Sequence, residues 1–119
     1  MAPIPPSPRV KVVNIDATLA ELAEVNSEIR HQICIEGDGF DVGLVCFSTT
    51  TISDTKQIVH DNKDVVCQVL VGRGLLRVSG SVTRLQPGIL CHIPKGVPHD
   101  FVAEGGQLIL CYTLINTLP

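Results

Sequence analysis

From about Glu28 onward, the chain consists of short apolar runs separated by turns that contain glycine or proline. The runs are rich in β-branched residues, which favour strands, and none has the length that a helix bundle requires. They span residues 29–36, 41–48, 57–60, 65–71, 75–78, 88–93 and 107–114, with turns at 37–39, 72–74, 79–81, 86–88 and 104–106. This spacing predicts an all-β antiparallel sandwich or barrel rather than alternating strands and helices.

The first 24 residues have a different character. Residues 1–8 contain four of the eight prolines and are expected to form a flexible arm. Arg9–Ile15 alternates basic or polar residues with valines, which predicts a strand, and Asp16–Glu24 has a capping residue and helical spacing. We therefore expect one short N-terminal helix and a single domain over residues 9–119.

Composition argues against several classes of partner. The net charge is -3 and no cluster of lysine and arginine is present, so a nucleic-acid partner is not expected. No apolar run approaches the roughly 20 residues that span a bilayer, and the N-terminus lacks the pattern of a signal peptide. The five cysteines include no CxxC pair and are expected to be free thiols. We expect a cytoplasmic protein without a membrane or nucleic-acid partner.

One corner of the chain holds a histidine accurately. Gly88, Pro94, Gly96 and His99 follow the spacing glycine, five residues, proline, one residue, glycine, two residues, histidine. Proline restricts its own φ and glycine permits unusual φ values, so the corner before His99 is tightly specified. This segment resembles the second motif of the cupin family of small β-barrels, although Ala103 stands at the family's asparagine position.

The segment from His60 to Gly74 is similar to the first cupin motif. Counting back from Gly72, the family's two histidines and its glutamate fall on Ile58, His60 and Val65, so only His60 keeps its type. A shorter spacing that the family allows makes Asp64 the acid. The resemblance implies a cupin-like double-stranded β-helix, also called a jelly-roll barrel, which commonly forms homodimers.

The resemblance also implies a divalent metal ion, such as Fe, Mn, Zn or Ni, with His60, Asp64 and His99 as ligands. Two histidines and one carboxylate leave positions on the metal open for substrate or oxygen. Asp64 lies four residues from His60 and has the parity to share its face. The count from Gly72 instead places Val65 inside the barrel and Asp64 outside it, and both alternatives stay open at this level.

Strand alternation identifies further residues of the cavity. Cys67 has the parity of Val65 and Val69, and Phe101 that of His99, so both are expected to face the interior. Tyr112 is a candidate for the cavity wall and for a proton donor. His31, on an apolar run, is interpreted as a core residue.

Three functions are compatible with these residues. The first is a small metal-dependent enzyme that acts on a small organic substrate by dioxygenase, isomerase or lyase chemistry. The second is a metal-free epimerase, dehydratase or cyclase, in which His60 is the general base and Tyr112 donates a proton. The third is a non-catalytic module that binds a small molecule. The Arg9–Ile15 strand is a candidate for pairing with a second subunit, which would bury an exposed strand edge.

Overall fold

A computed structural model of the chain describes residues 10–48 and 60–117. Within these residues, one helix, α1, spans Ile15–Leu19. The same residues form seven strands: β1 (Ala23–Glu24), β2 (Ile29–Glu36), β3 (Phe40–Ser48), β4 (Lys63–Val78), β5 (Ser81–Leu85), β6 (Leu90–Ile93) and β7 (His99–Asn116). They form one antiparallel sheet in the order β1-β2-β3-β7-β4-β5, and β6 also pairs with β4. The all-β antiparallel class with one short helix is confirmed.

The longest ladder joins β4 and β7. It runs from the pair Lys63 and Asn116 to the pair Val78 and His99. The turns predicted at 72–74 and 104–106 are wrong, because both strands continue through these glycines. Gly72 has φ +86° beside a shift in register, and two more glycines with positive φ lie in the corresponding part of β7. The glycines therefore form bulges that bend the strands without ending them.

The turn between β4 and β5 is confirmed. Ser79 and Gly80 both have positive φ, at 46° and 82°. Two such residues form the type of hairpin turn whose twist matches that of the flanking strands. Ser81–Leu85, which follows, is a strand that the sequence does not predict, because it contains only two apolar residues, Val82 and Leu85.

The N-terminal predictions are partly wrong. Helix α1 begins at Ile15 because the Asn14 side chain caps it, accepting a hydrogen bond from the Ala17 N–H at 2.9 Å. No strand forms over residues 10–15, and Val10 and Val12 are left almost fully exposed. The proposed flexible arm, residues 1–8, and most of the run 57–60 lie outside the described residues.

The predicted helix is also too long at its C-terminal end. Its last two residues, Ala23 and Glu24, form β1 and pair with His31 and Arg30 of β2. No helix in the described ranges is long and apolar enough to cross a membrane.

Two apolar clusters lie on opposite faces of the sheet. The inner cluster is the larger and includes Val65, Cys67 and Leu110, and the outer cluster packs β3 and β7 against α1 through Leu44 and Leu19. All five cysteines are free thiols, as expected. The inner face also borders the cavity described below.

The bulge at Gly72 generates a stability prediction. A Cβ at Gly72 would overlap the Gln107 carbonyl oxygen, whereas a Cβ at Gly80, which has a similar φ, meets nothing within 4 Å. Gly72→Ala is expected to lower the free energy of unfolding by about 3 kcal/mol, combining backbone strain with overlap. Gly80→Ala should cost about 1 kcal/mol. Chemical denaturation measures both, and equal losses would contradict the close approach at Gly72.

Candidate functional site

The inner face of the sheet borders a cavity of about 250 Å³. Most of its wall consists of aliphatic and aromatic side chains from β2, β3, β4 and β7. The polar groups in the described wall are three imidazoles, one phenol and one thiol, from His31, His60, His99, Tyr112 and Cys67. An apolar cavity with a few converging polar groups is the usual form of a small-molecule site.

His60 and His99 face each other on this wall. Their ring centroids lie 6.0 Å apart and the rings are tilted by 35°. The Nδ1–H of His99 donates a hydrogen bond to the Val97 carbonyl at 3.0 Å, so Nε2 is the nitrogen that carries the lone pair whenever the ring is neutral. The Gly96 N–H donates to the His60 carbonyl at 2.7 Å. The rigid corner therefore positions both histidines. His99 follows the corner directly along the chain, and the backbone of His60 is hydrogen-bonded to it.

The surroundings of His60 lower its pKa. Burial lowers the pKa of His60 below its ordinary value of 6.5, and the nearby cationic forms of His99 and Lys63 lower it further. A neutral imidazole has a free lone pair that can accept a proton or bind a metal. The site therefore favours the neutral form of His60 over its imidazolium form.

Asp64 does not join the histidine pair. Its Oδ1 accepts a hydrogen bond from the Lys95 N–H at 2.9 Å, and its Oδ2 lies 3.4 Å from His92 Nε2. The Lys95 hydrogen bond is the main cause that lowers the pKa of Asp64. Val65, the next residue, lines the cavity. Neighbours on a strand face opposite sides, so Asp64 lies outside the cavity. Of the two alternatives from the sequence, the one counted back from Gly72, which places Val65 inside, is therefore correct.

The described residues do not fit a three-ligand metal site. No group of three or more His, Cys, Asp or Glu side chains converges within residues 10–48 and 60–117. A catalytic zinc ion, for example, takes three protein ligands and leaves a fourth position open. His60 and His99 supply two donors, and the structure does not bring the proposed third ligand, Asp64, to them.

Cys67 and Phe101 both lie on the cavity wall. Burial raises the pKa of Cys67 to about 12, and the neighbouring Cys91 contributes, so Cys67 is a protonated thiol. Phe101 packs edge-on against His99, with 5.7 Å between ring centroids. It also packs against Phe47, where the rings are tilted by 32° and their centroids lie 5.3 Å apart. These residues shape the wall, and a protonated thiol is a poor nucleophile.

His31 also reaches the cavity, although the sequence placed it in the core. Its Nε2 is hydrogen-bonded to the Tyr112 hydroxyl, and the two rings stack with centroids 5.4 Å apart. Burial lowers the pKa of His31. The available signal was parity with Ile29, which lines the same cavity, but the pairing of β2 with β3 is a tertiary feature.

The opposite face carries an ion pair one residue from His99. Arg77 Nε and Nη2 donate to Asp100 Oδ1 and Oδ2 at 2.8 and 2.6 Å. Arg77 and Asp100 are also register partners, next to the pair Val78 and His99. Such a two-pronged contact fixes the register of β4 and β7 where the histidine begins its strand.

An antiparallel sheet whose inner face borders an apolar cavity is the architecture of a small jelly-roll barrel. Residues 43–115 match the family model of the Cupin domain. This match covers more than half of the chain, so the chain belongs to the cupin family. No curated protein sequence matches the chain.

Solved structures share the fold at low sequence identity. KdgF from Halomonas sp. has a TM-score of 0.68 and 20% identity, with 82% of this chain and 89% of that chain covered. The TT1209 protein from Thermus thermophilus has a TM-score of 0.66 and 23% identity, with 82% and 93% covered. The Cnp3 cupin domain of Schizosaccharomyces pombe has a TM-score of 0.70 and 14% identity, with 83% and 72% covered. At these identities the likeness establishes the fold.

The surroundings of His60 generate a titration prediction. Nuclear magnetic resonance should find the pKa of His60 below 6.5. Lys63→Gln is expected to raise this pKa toward 6.5, because removal of a nearby positive charge favours the imidazolium form. Lys11→Gln, a change elsewhere on the surface, serves as the control and should leave it unchanged. A His60 pKa at or above its ordinary value would contradict the buried, neutral imidazole.

Proposed function

We propose that this cupin domain is an enzyme that binds a small neutral organic molecule in its cavity and transfers a proton without a metal ion, with His60 as the general base. The observation that carries the proposal is the position of His60. It lies on an apolar cavity beside His99, and its pKa is lowered by burial. A neutral imidazole in such surroundings accepts protons near neutral pH.

The character of the cavity supports a neutral ligand. None of the described lining residues is Lys, Arg, Asp or Glu. A phosphate or carboxylate group in this cavity would lose its hydration without meeting a permanent opposite charge, which is costly. A cavity of about 150 Å³ accommodates benzene, so this cavity of about 250 Å³ has room for a somewhat larger molecule.

The chemistry that fits is proton abstraction from carbon beside a carbonyl group. The His60 lone pair takes the proton and the ring becomes an imidazolium ion, while the C–H electron pair forms an enolate. Return of the proton to the opposite face of the same carbon completes an epimerisation, and return to the far end of a conjugated enolate completes an isomerisation; either step restores neutral His60. General base catalysis of this kind contributes about 10² to 10⁴ in rate.

A metal-dependent cupin enzyme is the second candidate. It is favoured by the two imidazoles that face each other with 6.0 Å between their centroids. Two histidine donors suit divalent ions such as Zn, Fe or Ni, which would then polarise a carbonyl oxygen. This candidate needs a third ligand, and the described part of the chain does not provide it.

The homodimer and the cytoplasmic location inferred from the sequence stay predictions.

Deuterium exchange tests the proposed base. The ketone 2-indanone is neutral and mostly apolar and has acidic C–H groups beside one carbonyl, so it serves as the probe. Wild-type protein in D₂O, with a chelator present, is expected to accelerate exchange of these protons as followed by nuclear magnetic resonance. His60→Ala should lower the protein-catalysed rate by about 100-fold or more. His92→Ala, which changes an exposed histidine on the outer face, is the matched control.

Each outcome separates the candidates. Exchange that disappears with chelator and returns with added Zn, Fe or Ni would favour the metal-dependent enzyme. An unchanged rate in His60→Ala would contradict His60 as the base. Binding of the ketone with no accelerated exchange in the wild-type protein would indicate a non-catalytic binding module.

A further inference from the structure

Tyr112 reaches across a neighbouring strand to touch His31. On β7, Tyr112 is the register partner of Gly43 on β3, and β2, which carries His31, lies beyond β3 in the sheet. A Cβ at Gly43 would overlap the Tyr112 hydroxyl and the ring carbon that bears it. The missing side chain at Gly43 is therefore what lets the phenol lie over β3 and meet His31.

The contact between the two side chains is specific. His31 Nε2 is hydrogen-bonded to the Tyr112 hydroxyl, and the rings are nearly parallel, with 18° between their planes. Both residues line the cavity. Stacking fixes the plane of the phenol, and the hydrogen bond fixes its oxygen. The Tyr112 hydroxyl is thus held at a defined place on an otherwise apolar wall.

His31 and Tyr112 have more hydrogen-bonding groups than the single hydrogen bond between them uses. A phenol has one O–H donor and can accept hydrogen bonds, and a neutral imidazole has one N–H donor and one lone pair. If the Nε2–H of His31 donates to the Tyr112 oxygen, the Tyr112 O–H is left to donate into the cavity. A donor on an apolar wall gains most from an oxygen acceptor on the ligand.

We propose that His31 and Tyr112 form a hydrogen-bond chain, from His31 N–H to the Tyr112 oxygen and from the Tyr112 O–H to a carbonyl oxygen of the cavity ligand. This inference rests on the proposed function for the occupancy of the cavity by a small neutral molecule. No covalent bond changes in this chain, because neither His31 nor Tyr112 gives up its proton. The ligand class is thereby narrowed to apolar molecules that carry a ketone or an aldehyde.

The chain has a second effect when a base removes a proton beside the carbonyl. Negative charge then develops on the same oxygen that Tyr112 binds, and a donor already in place stabilises it. Donation from His31 makes the phenol a stronger donor, because consecutive hydrogen bonds polarise one another. Tyr112 is a binding group for the reacting carbonyl in this arrangement, and His31 is a positioning residue.

The test compares 2-indanone with indane, which has the same skeleton without the carbonyl oxygen. Titration calorimetry on the full chain is expected to show tighter binding of the ketone by about tenfold. Tyr112→Phe keeps the ring and removes the hydroxyl, so it should abolish this preference and leave the affinity for indane unchanged. Thr113→Val removes a hydroxyl from the next residue of β7, on the opposite face, and should keep the preference.

Two further variants examine His31. His31→Gln retains an N–H donor and is expected to keep much of the ketone preference, whereas His31→Leu should reduce it.

The chain contains one tyrosine and no tryptophan, so its intrinsic fluorescence reports on Tyr112 alone. In the wild-type protein, the ketone should change this emission and indane should not. A merely structural role of His31 predicts equal changes in the binding of both compounds.

The outcomes keep the two proposals apart. A ketone preference that survives in Tyr112→Phe overturns the hydrogen-bond chain and leaves the proposed base untouched. A preference abolished by Tyr112→Phe, with exchange unaffected in His60→Ala, supports the chain and overturns the base. Failure of both compounds to bind the wild-type protein overturns both proposals.

Discussion

The ladder between β4 and β7 sets the positions of seven of the thirteen described residues that line the cavity. It places Val78 opposite His99 at one end and Cys67 opposite Tyr112 further along. Because side chains alternate along a strand, a shift of one residue would exchange the inner and outer faces of the sheet. The bulges near Gly72 and the ion pair beside His99 act against such a shift. The site depends on register as much as on its residue types.

Local sequence was sufficient for the features that depend on local chemistry. The β-branched runs predicted most of the strands, and the proline and glycine before His99 predicted the corner that holds it. Parity alone placed Cys67 and Phe101 on the inner wall, because both lie on regular stretches of strand. The glycine pairs at 72–74 and 104–106 misled, since a positive φ serves a bulge as well as a turn.

The features that depend on tertiary structure could not be predicted. Asp64 had one parity when counted from His60 and the opposite one from Gly72, and only the complete ladder decides between them. The apolar run around His31 predicts a core residue, and its contact with Tyr112, 81 positions away over Gly43, has no local signal. Gly43 matters because it leaves room for the Tyr112 side chain, and the neighbouring sequence does not indicate this role. Burial against the apolar wall then lowers the pKa of His60, because desolvation disfavours the charged imidazolium.

The same ladder has a consequence for the folding pathway. The β4 and β5 hairpin closes through the two residues Ser79 and Gly80, and such local pairing forms within microseconds. The pairing of Lys63 with Asn116 instead closes a long loop of chain, and this entropic cost precedes any gain from packing. The hairpin is therefore expected to form early and the final strand to dock late. Since His99 and Tyr112 both belong to that last strand, the cavity is expected to form only when this strand docks.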